Sequence, residues 1–337
     1  MSTTSDTLAR PDLDLIIIGG SAAGMSAAVY AARRRLNFKI IAGDVGGEMV
    51  LSGEIENWPA VVHTTGIELT ERFREQMKAH DIAIEEGLVV TAIEKPDEYF
   101  TIRMRRNGHA AAMETVQEHQ DTTRETMTMR ARTIIVATGV HPRELGVPGE
   151  KELRGKGVTY CTVCDGPLFP KKMVATIGGG NSALESAIMM AGIASKVYVI
   201  NKNAQFKGDA VLIDKVANEL SKQNVEVVYN ALTKSISGNG FVSGLEYEDT
   251  VTHEMRHLAV EGIFVHIGMI PNSTFLPTEI EKNAFGEIIV DAASRTNVPG
   301  LFAAGDVTAI AYKQLAIAAG QGVAAALSAV EYLNKQR

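Results

Sequence analysis

The first part of the chain combines apolar and glycine-rich segments in an order that predicts a β-α-β unit. Residues 13–19 form a short apolar run, a turn extends from Gly19 to Gly24, residues 25–36 have helical character and residues 38–42 are apolar again. A short apolar run bounded by turn residues is typical of a buried strand. Strand, glycine turn, helix and strand in this order predict two parallel strands joined by a helix.

A second unit of the same kind begins at residue 173. It consists of an apolar run at 173–177, a turn from Gly178 to Ala183, a helical stretch that ends near Gly192 and an apolar run at 196–200. Two such units in one chain predict an α/β fold with two Rossmann-like dinucleotide-binding domains, each of three layers.

Two apolar segments that end in glycine predict how these domains are connected. Residues 133–139 and 262–268 both have the composition of a buried strand, and Pro142 and Pro271 follow closely. We therefore predict that the second domain, residues 140–261, is inserted into a discontinuous first domain formed by residues 1–139 and 262–337. Residues 99–105 and 125–132 also alternate between apolar and polar positions, which predicts a hairpin with a long tip.

Composition narrows the function classes further. The chain of 337 residues carries a formal charge of −7, and 45% of its residues are hydrophobic. Nucleic acids and acidic membranes attract basic surfaces, so neither is an expected partner. Residues 1–11 lack the apolar core of a secretory signal, and residues 310–333 are interrupted by polar residues and glycines, which predicts a packed helix. We therefore expect a cytoplasmic protein.

The glycine turns indicate phosphate binding. Glycines at such a turn allow backbone amides at a helix N-terminus to approach a pyrophosphate. One glycine turn is weak support because similar turns occur in proteins that bind no nucleotide, but two in the correct context are much stronger. The implied ligands are FAD and NAD(P)H. Asp44 follows Gly24 by 20 residues, where an acid can accept hydrogen bonds from a ribose.

The two cysteines of the chain, Cys161 and Cys164, are separated by three positions. A C-x-x-C pair at a turn beside a helix can close a small disulfide and supply thiolate near neutral pH. The alternative is zinc, but a structural zinc site requires four ligands, and the sequence has no further C-x-x-C or paired histidines nearby. We therefore predict a redox pair and no metal.

Several motifs give the chain a marked family resemblance. Ala137-Thr138-Gly139, the segment from Cys161 to Gly166, Gly178 to Ala183 and Gly305-Asp306 resemble the low-molecular-weight thioredoxin reductases in the same order. From Gly157 onward the chain is still more similar to the flavoprotein subunit of alkyl hydroperoxide reductase. That flavoprotein carries an additional N-terminal redox domain, which we do not expect here because the first dinucleotide strand is predicted to begin near residue 13.

The resemblance implies a flavin disulfide reductase that passes electrons from NAD(P)H through FAD and the cysteine pair to a thioredoxin-like protein. It implies that Cys164 faces the flavin, that Cys161 attacks the substrate disulfide and that Asp165 transfers protons; Asp165 in an Asp-Gly turn is the structural alternative. It also implies a homodimer. The residues that it assigns to FAD are Gly19, Gly20, Ser21, Ala22, Ala23, Asp44, Gly46, Gly47, Glu48, Asn57, Thr138, Gly139, Gly305, Asp306, Lys313 and Gln314.

Some of these positions have ambiguous or unusual residues. Asp306 follows an apolar run at 298–304 and precedes a helix predicted from Tyr312, so it is either a flavin ligand or a helix N-cap. Glu48 replaces the usual glutamine, and a carboxylate beside a reduced, anionic flavin would lower the flavin potential unless it is protonated or turned away. Ser21 stands at a position where glycine gives the closest approach to phosphate.

The nicotinamide nucleotide is assigned less clearly than FAD. The turn supplies Gly178, Gly180, Asn181, Ser182 and Ala183, whereas the His-Arg-Arg stretch of NADPH-dependent relatives is replaced by Asn201, Lys202 and Asn203, with Lys207 after it. Two lysines can meet a 2'-phosphate only as point charges, and exposed lysines are often plain surface residues. The acid typical of NADH-dependent relatives is also absent near Asn201. We favour NADPH slightly over NADH, with ferredoxin or another donor as alternatives.

Three functional hypotheses remain. The leading one is a thioredoxin-type disulfide reductase, and a peroxiredoxin-linked or ferredoxin-dependent reductase of the same fold is the second. A redox sensor without catalytic turnover is the third. Retention of both glycine turns and Asp165 favours an enzyme, because a sensor needs no nicotinamide pocket.

Overall fold

The computed structural model describes residues 13–52, 54–106 and 126–336. Its helices and strands, in chain order, are β1 (Leu13–Gly20), α1 (Ala22–Arg33), β2 (Phe38–Val45), β3 (Glu54–Ile55), β4 (Thr64–Thr65), α2 (Gly66–Ala79), β5 (Ile84–Glu86), β6 (Leu88–Glu94), β7 (Phe100–Arg106), β8 (Thr126–Val136), β9 (Val140–Pro142), β10 (Val158–Thr159), α3 (Thr162–Asp165), β11 (Met173–Ile177), α4 (Asn181–Ala191), β12 (Lys196–Ile200), α5 (Ala210–Asp214), β13 (Val225–Val228), β14 (Ala231–Gly238), β15 (Val242–Asp249), β16 (Met255–Leu258), β17 (Gly262–Val265), β18 (Met269–Pro271), β19 (Leu301–Ala303) and α6 (Leu315–Lys335).

The first sheet has the strand order β5-β2-β1-β8-β7-β6, with β19 paired to β8. Strands β5, β2, β1, β8 and β19 run parallel, whereas β7 and β6 are antiparallel additions. Helices α1 and α6 pack against each other, and their small buried residues join one face of the sheet in a single apolar core. We call this sheet, with α1, α2 and α6, the first unit.

The second unit contains a five-stranded parallel sheet in the order β10-β17-β11-β12-β13. One face packs against α4, and the other packs against the antiparallel sheet β14-β15-β16. Parallel strands covered on both faces explain why 173–177 and 196–200 are almost entirely apolar. The mixed α/β fold, with one largely parallel and one fully parallel sheet, agrees with the fold class predicted from the sequence.

Strands β9 and β18 pair antiparallel with each other, so the two connections between the units form a two-stranded ribbon. Both prolines that marked the predicted crossings, Pro142 and Pro271, end these strands. Strand β17 pairs with β10 and β11, although the predicted boundary at residue 262 assigned it to the first domain. Strand β17 is therefore part of the second unit, because a central strand cannot leave its sheet without breaking its ladder hydrogen bonds. The chain returns to the first unit through β18.

Several predicted element bounds differ from the structure for physical reasons. Helix α1 begins at Ala22 and not at residue 25, because the glycine turn itself provides the first helical turn. The predicted strands at 125–132 and 133–139 are one strand, β8, whose first half pairs with β7 and whose second half pairs with β1 and β19. The predicted tip of the hairpin lies outside the described residues.

Helix α6 satisfies the length and composition expected of a membrane span, and it is the one such helix in the described part of the chain. Its Gly322 lies against α1 so closely that a Cβ there would be 2.0 Å from the carbonyl oxygen of Ala23. A helix fitted backbone to backbone onto a neighbour is typical of a packed core. Its start at Leu315, three residues after Tyr312, gives Gln314 and not Asp306 as the N-cap.

We predict that two glycines of α6 respond oppositely to substitution by alanine. Gly322→Ala should lower the free energy of unfolding by about 1–3 kcal/mol, because the new methyl group meets backbone atoms that cannot move independently. Gly320→Ala is the matched control: its Cβ would meet nothing within 4 Å, and alanine should stabilise the helix by about 0.5–1 kcal/mol. Urea denaturation of the three proteins measures both changes, and equal effects would contradict the packing.

Candidate active site

The turn between β1 and α1 brings three backbone segments into close contact. Gly19 has φ of +123°, and a Cβ on it would lie 2.1 Å from the carbonyl oxygen of Ala137. A Cβ on Gly24 would lie 1.8 Å from the carbonyl oxygen of Gly19. Only glycine fits at either position, so the N-terminus of α1 is held directly against the ends of β1 and β8.

Three helices begin at predicted cofactor residues, and none has a side-chain cap. The N-cap residues of α1, α4 and α6 are Ser21, Gly180 and Gln314, and none of them accepts a hydrogen bond from its helix through its side chain. The Ser21 hydroxyl instead donates to the carbonyl oxygen of Gly46, at 2.7 Å. Helix α2, by contrast, has a complete capping box between Thr65 and Glu68. Amides left uncapped at a helix N-terminus can bind an anionic ligand.

Two of the predicted flavin-binding acids have raised pKa values, although Asp44 is exposed and Asp306 is only partly buried. Partial desolvation of its carboxyl raises the pKa of Asp44, at the end of β2, and the nearby negative charge of Glu48 raises it further. Burial also raises the pKa of Asp306, although the charge of Lys313 partly offsets this effect. A partly desolvated carboxyl without a strong cation partner is suited to accept hydrogen bonds from ribityl or ribose hydroxyls, because those bonds replace lost water.

The remaining residues assigned to FAD surround the same region. Thr138 donates its hydroxyl to the carbonyl oxygen of Asn272, at 2.6 Å, and thereby ties the end of β8 to the segment after β18. Asn57 donates to the side-chain oxygen of Gln314, at 3.3 Å. Gly47 begins a short 3-10 helix, and Gly139 and Gly305 adopt positive φ angles at the ends of β8 and β19.

Cys161 and Cys164 form a disulfide at the start of α3. Cys161 is the N-cap, and the amide of Cys164 donates a hydrogen bond to its Sγ atom, at 3.2 Å. A donor directed at sulfur stabilises a thiolate more than a thiol. The geometry therefore favours Cys161 as the nucleophile after the disulfide is reduced.

Asp165 lies directly after the cysteine pair in a buried position. One of its carboxylate oxygens accepts a short hydrogen bond from the hydroxyl of Thr159, and the other, Oδ1, has no partner among the described residues. Burial raises the pKa of this carboxyl, and the hydrogen bond from Thr159 partly counteracts the increase. Such a group keeps its proton to a higher pH than an ordinary aspartate does and can release it to a neighbouring thiolate.

A cleft of about 510 Å³ lies between the two units and brings these groups together. The second unit contributes both cysteines and Asp165 to its walls. The first unit contributes Glu48, Met49, Ser52, Asn57, Asp306, Lys313 and Gln314 among others. The predicted redox pair and part of the predicted flavin site therefore face the same space.

Glu48 contacts cations of the second unit and of the connecting ribbon. Its Oε2 atom lies 2.6 Å from a guanidinium nitrogen of Arg154, and its Oε1 atom lies 3.0 Å from Nδ1 of His141. The hydrogen bond to Glu48 raises the pKa of His141. The carboxylate is therefore compensated by positive charge, an arrangement that the sequence alone did not reveal.

A comparison with known proteins identifies the family. Residues 13–322 match the pyridine nucleotide-disulphide oxidoreductases, which accounts for both glycine turns and the cysteine pair together. The chain belongs to this family. Membership implies FAD and a pyridine nucleotide as cofactors and confirms the resemblance that the motifs indicated.

Curated relatives include longer proteins. The chain is 42% identical over 326 residues to the F subunit of alkyl hydroperoxide reductase in Pseudomonas putida, and the match covers 96% of this chain and 59% of that protein. It is 40% identical over 329 residues to a protein named NADH dehydrogenase from Ferdinandcohnia aciditolerans, with 98% and 59% coverage. The chain thus spans about three fifths of the length of these relatives.

Solved structures of similar proteins include several thioredoxin reductases. The structure from Streptococcus pyogenes has a TM-score of 0.83 with 33% identity, and the match covers 96% of this chain and 98% of that one. The structure from Giardia duodenalis gives a TM-score of 0.83 with 30% identity, covering 96% and 100%. The Lactococcus lactis enzyme in a form described as the FR conformation gives only 0.61 at 29% identity, covering 96% and 99%.

The second glycine turn has the geometry of a dinucleotide turn. Gly178 has φ of +148°, and a Cβ on it would lie 2.2 Å from the carbonyl oxygen of His266. Gly180 is the N-cap of α4, and nothing lies within 4 Å of its Cβ position. Asn181 exchanges two hydrogen bonds with Asp209, at 2.9 and 2.8 Å, which fixes the following loop against the turn. Ser182 faces the cleft, and Ala183 is buried beneath the turn.

The predicted 2'-phosphate residues differ in their surroundings. Asn201 is buried; its side chain donates to the carbonyl oxygen of Gln205 and accepts from the backbone amide of Asn203. This side chain therefore organises the loop after β12. Lys202 and Lys207 are exposed, and the backbone amide of Lys207 donates to the carbonyl oxygen of Gly179. The lysine side chains remain the better candidates for phosphate recognition.

Sequence reasoning missed a polar cluster behind the cysteine pair. The hydroxyl of Thr162 lies 2.7 Å from Nε2 of His266 and 2.6 Å from the hydroxyl of Ser186. Burial lowers the pKa of His266 to about 4, so its ring is neutral at neutral pH. The cluster links α3 to α4 and to the end of β17. A histidine directly after an apolar strand was the only available signal.

We predict that Thr159→Val raises the pKa of Asp165 further, because the variant removes the hydroxyl that stabilises the carboxylate. Carbon-13 NMR of the labelled aspartate carboxyl across a pH titration measures the change. Thr176→Val is the control, since that buried hydroxyl contacts Ser186 and not Asp165. An unchanged or lower pKa in Thr159→Val would contradict the assigned contact.

Proposed function

We propose that this protein is a flavin-dependent disulfide reductase that transfers electrons from NAD(P)H through FAD and the Cys161–Cys164 pair to a thioredoxin-like protein. The observation that carries the proposal is the shared cleft: the disulfide and the buried Asp165 face the residues assigned to FAD. A homodimer in the cytoplasm is the expected working form.

The residues present suit FAD. The close glycine contacts at Gly19 and Gly24 and the uncapped N-terminus of α1 suit the pyrophosphate. The carboxyls of Asp44 and Asp306, both with raised pKa values, suit hydroxyl groups, and Asp165, which lines the cleft, has an unpartnered Oδ1 among the described residues. When bound, FAD supplies a carrier that accepts a hydride and passes on two electrons.

The thiol chemistry follows from the arrangement of the pair. Two electrons and two protons convert the Cys161–Cys164 disulfide into two thiols. The Cys161 thiolate attacks one sulfur of the partner's disulfide, which forms a mixed disulfide and releases the partner's other sulfur as a thiolate. The Cys164 thiolate then attacks Cys161, restores the internal disulfide and releases the reduced partner.

Asp165 would donate and accept the protons in these steps. Its raised pKa allows the carboxyl to hold a proton, and its position directly after Cys164 brings that proton close to the pair. A positioned acid of this kind typically contributes about 10²–10⁴-fold to a rate. Thr159 orients the carboxyl by its hydrogen bond to one oxygen and leaves the other oxygen free of that contact.

Movement of the second unit is part of the proposal. The glycine turn at 178–183 and the disulfide belong to the same unit, yet both must reach one flavin, and Cys161 must also reach an external protein. The ribbon of β9 and β18 offers the two connections about which the unit could rotate. The Lactococcus lactis structure covers the same share of this chain as the Streptococcus pyogenes structure but has a lower TM-score. A different placement of the second unit relative to the first would give such a difference.

A peroxiredoxin-linked reductase is the second candidate. It is supported by the 42% identity to a protein named as the F subunit of alkyl hydroperoxide reductase. Turnover assays with an oxidised thioredoxin and with an oxidised peroxiredoxin distinguish the two substrates. A yellow protein that reduced neither would favour the sensor hypothesis.

The electron donor is tested by anaerobic titration. The purified flavoprotein is mixed in turn with NADPH, NADH and reduced ferredoxin while flavin bleaching is followed. Bleaching by a nicotinamide nucleotide supports the proposal. Bleaching by ferredoxin alone would replace NAD(P)H as the donor, and a colourless protein after FAD reconstitution would reject the flavin assignment.

We predict that Cys164→Ser and Cys161→Ser both abolish reduction of the protein disulfide, because each removes one sulfur of the exchange. FAD should stay bound and should still be bleached by the donor, since that half-reaction needs neither thiol. Stopped-flow absorbance measures bleaching, and a coupled assay measures turnover. Parental turnover in either variant would contradict the assignment of the redox pair.

The lysines at positions 202 and 207 give a prediction about the nucleotide. Lys202→Ala combined with Lys207→Ala should raise KM for NADPH about threefold to thirtyfold and leave NADH kinetics nearly unchanged, because only contacts to the 2'-phosphate are lost. Lys222→Ala, which removes another exposed lysine of the same unit, is the control. Equal changes for both nucleotides would reject phosphate recognition by this pair.

A further inference from the structure

A cluster of charges spans the two units at the rim of the cleft. Glu48 belongs to the first unit, between β2 and β3, whereas Arg154 lies in the second unit, shortly before β10. His141 lies on β9, in the connecting ribbon. Both carboxylate oxygens of Glu48 are used, one by Arg154 at 2.6 Å and the other by His141 at 3.0 Å. We call Glu48, His141 and Arg154 the interdomain cluster.

The surroundings of Arg154 make this contact specific. Its side chain is only 10% exposed, and the guanidinium lies over the ring of Tyr160, 4.7 Å from the centroid. Tyr160 in turn donates its hydroxyl to Glu150, at 2.8 Å. The guanidinium is therefore held in place by its own unit before it meets Glu48. An oriented charge loses less entropy on pairing than a flexible surface charge.

Other charged residues near Arg154 contact one another on the same side of the boundary between the units. Glu144 lies 3.8 Å from Arg154 and 3.7 Å from Nε2 of His141, and Lys151 lies 3.7 Å from Glu144. All three contacts lie within residues 141–154. Glu144, Lys151 and Arg154 belong to the second unit, so the contacts among them do not oppose its rotation on the ribbon, whereas rotation must separate Arg154 from Glu48.

We propose that Arg154, supported by His141, is a positioning residue that acts through Glu48 to hold the cysteine pair over the flavin cleft. In this orientation α3 packs beside β3 of the first unit, and Ile55 of β3 lines the cleft with Cys161 and Cys164. Removal of the Arg154 contact lowers the population of this orientation. This inference rests on the proposed function only because that function gives the orientation its role in electron transfer.

The same contact has a consequence for the flavin site. Glu48 lies close enough to Asp44 and Asp306 for its charge to raise the pKa of both carboxyls. Arg154 compensates that charge only while the second unit holds the orientation in which Arg154 contacts Glu48, which we call the docked orientation. Loss of docking therefore leaves a less compensated carboxylate beside the residues assigned to FAD.

The test measures orientation directly in the oxidised holoprotein. A keto amino acid is encoded at position 62 of the first unit and at position 251 of the second, where Val62 and Val251 are 92% and 69% exposed, and each is coupled to a spin label. This chemistry leaves Cys161 and Cys164 untouched. Pulsed electron paramagnetic resonance then gives the distribution of distances between the units.

We expect Arg154→Met to lower the ratio of docked to undocked molecules about threefold to tenfold, the effect of losing one partly buried charged hydrogen bond. Arg154→Lys should restore part of the docked population because it retains the charge. Lys151→Met is the matched control: it removes a cation of the same segment whose ion pair, with Glu144, lies within the second unit. It should leave the distance distribution unchanged.

His141→Gln provides a second variant, in case Arg154→Met disturbs folding. The charged groups that face His141 are Glu48 from the first unit and Arg154 and Glu144 from residues 144–154. Because the pKa of His141 is raised, the ring is fully protonated at pH values below the ordinary pKa of histidine. It loses its proton as the pH rises through the raised pKa. Docking should weaken over that range in the parent protein, and His141→Gln should remove this pH dependence.

Identical distance distributions in the parent, Arg154→Met and His141→Gln proteins would overturn the inference. A redistribution in Lys151→Met as large as in Arg154→Met would also overturn it, since charge in general and not the contact with Glu48 would then set the orientation. The measurement needs no substrate. A protein that shows the expected redistribution but reduces no disulfide would therefore contradict the proposed function and leave this inference standing.

Discussion

The first glycine turn imposes the constraint on which the rest of the site depends. The absence of side chains at Gly19, Gly24 and Gly322 allows β1, β8, α1 and α6 to approach with direct backbone contact. This approach brings the N-terminus of α1 together with the ends of two parallel strands, where Asp44 and Thr138 are located. A methyl group at any of the three glycines would separate these elements, so the apolar core and the candidate cofactor site share one structural requirement.

Charge is distributed unevenly around the cleft. Asp44, Asp165 and Asp306 are carboxyls whose pKa values are raised by partial desolvation, whereas the nearby cations contact other groups: Lys313 contacts Glu287 and backbone oxygens, and Arg154 contacts Glu48. Burial of acids without strong cation partners costs stability as they ionise with rising pH. That cost is consistent with a site in which ligand hydroxyls and sulfur protons are the intended partners.

The sequence predicted the parts of this molecule that depend on local patterns. The bounds of β11 and β12 followed from almost entirely apolar runs, and both glycine turns and the cysteine pair were identified by spacing. Contacts between distant segments could not be predicted in this way. The pairing of β17 with β11, the use of Asn201 inside its own loop, the link from Thr162 to His266 and the contact from Glu48 to Arg154 all require knowledge of which surfaces meet. Glu48 is the clearest case, because its charge was noted but its partners were not.

The orientation seen here also limits what one arrangement of the units can do. Helix α4 borders the cleft through Ser182 and Glu185, whereas Gly178 and Asn201, at the ends of β11 and β12, are not among the residues that line it. A dinucleotide bound along this turn would have to extend past α4 to reach residues of the first unit, while α3 already occupies the cleft with the disulfide. Both groups belong to the second unit, so a rotation that brings one closer to the first unit moves the other away. An electrostatic contact that can form and separate at this boundary is therefore better suited to the proposed exchange than a large apolar interface, which would fix a single orientation.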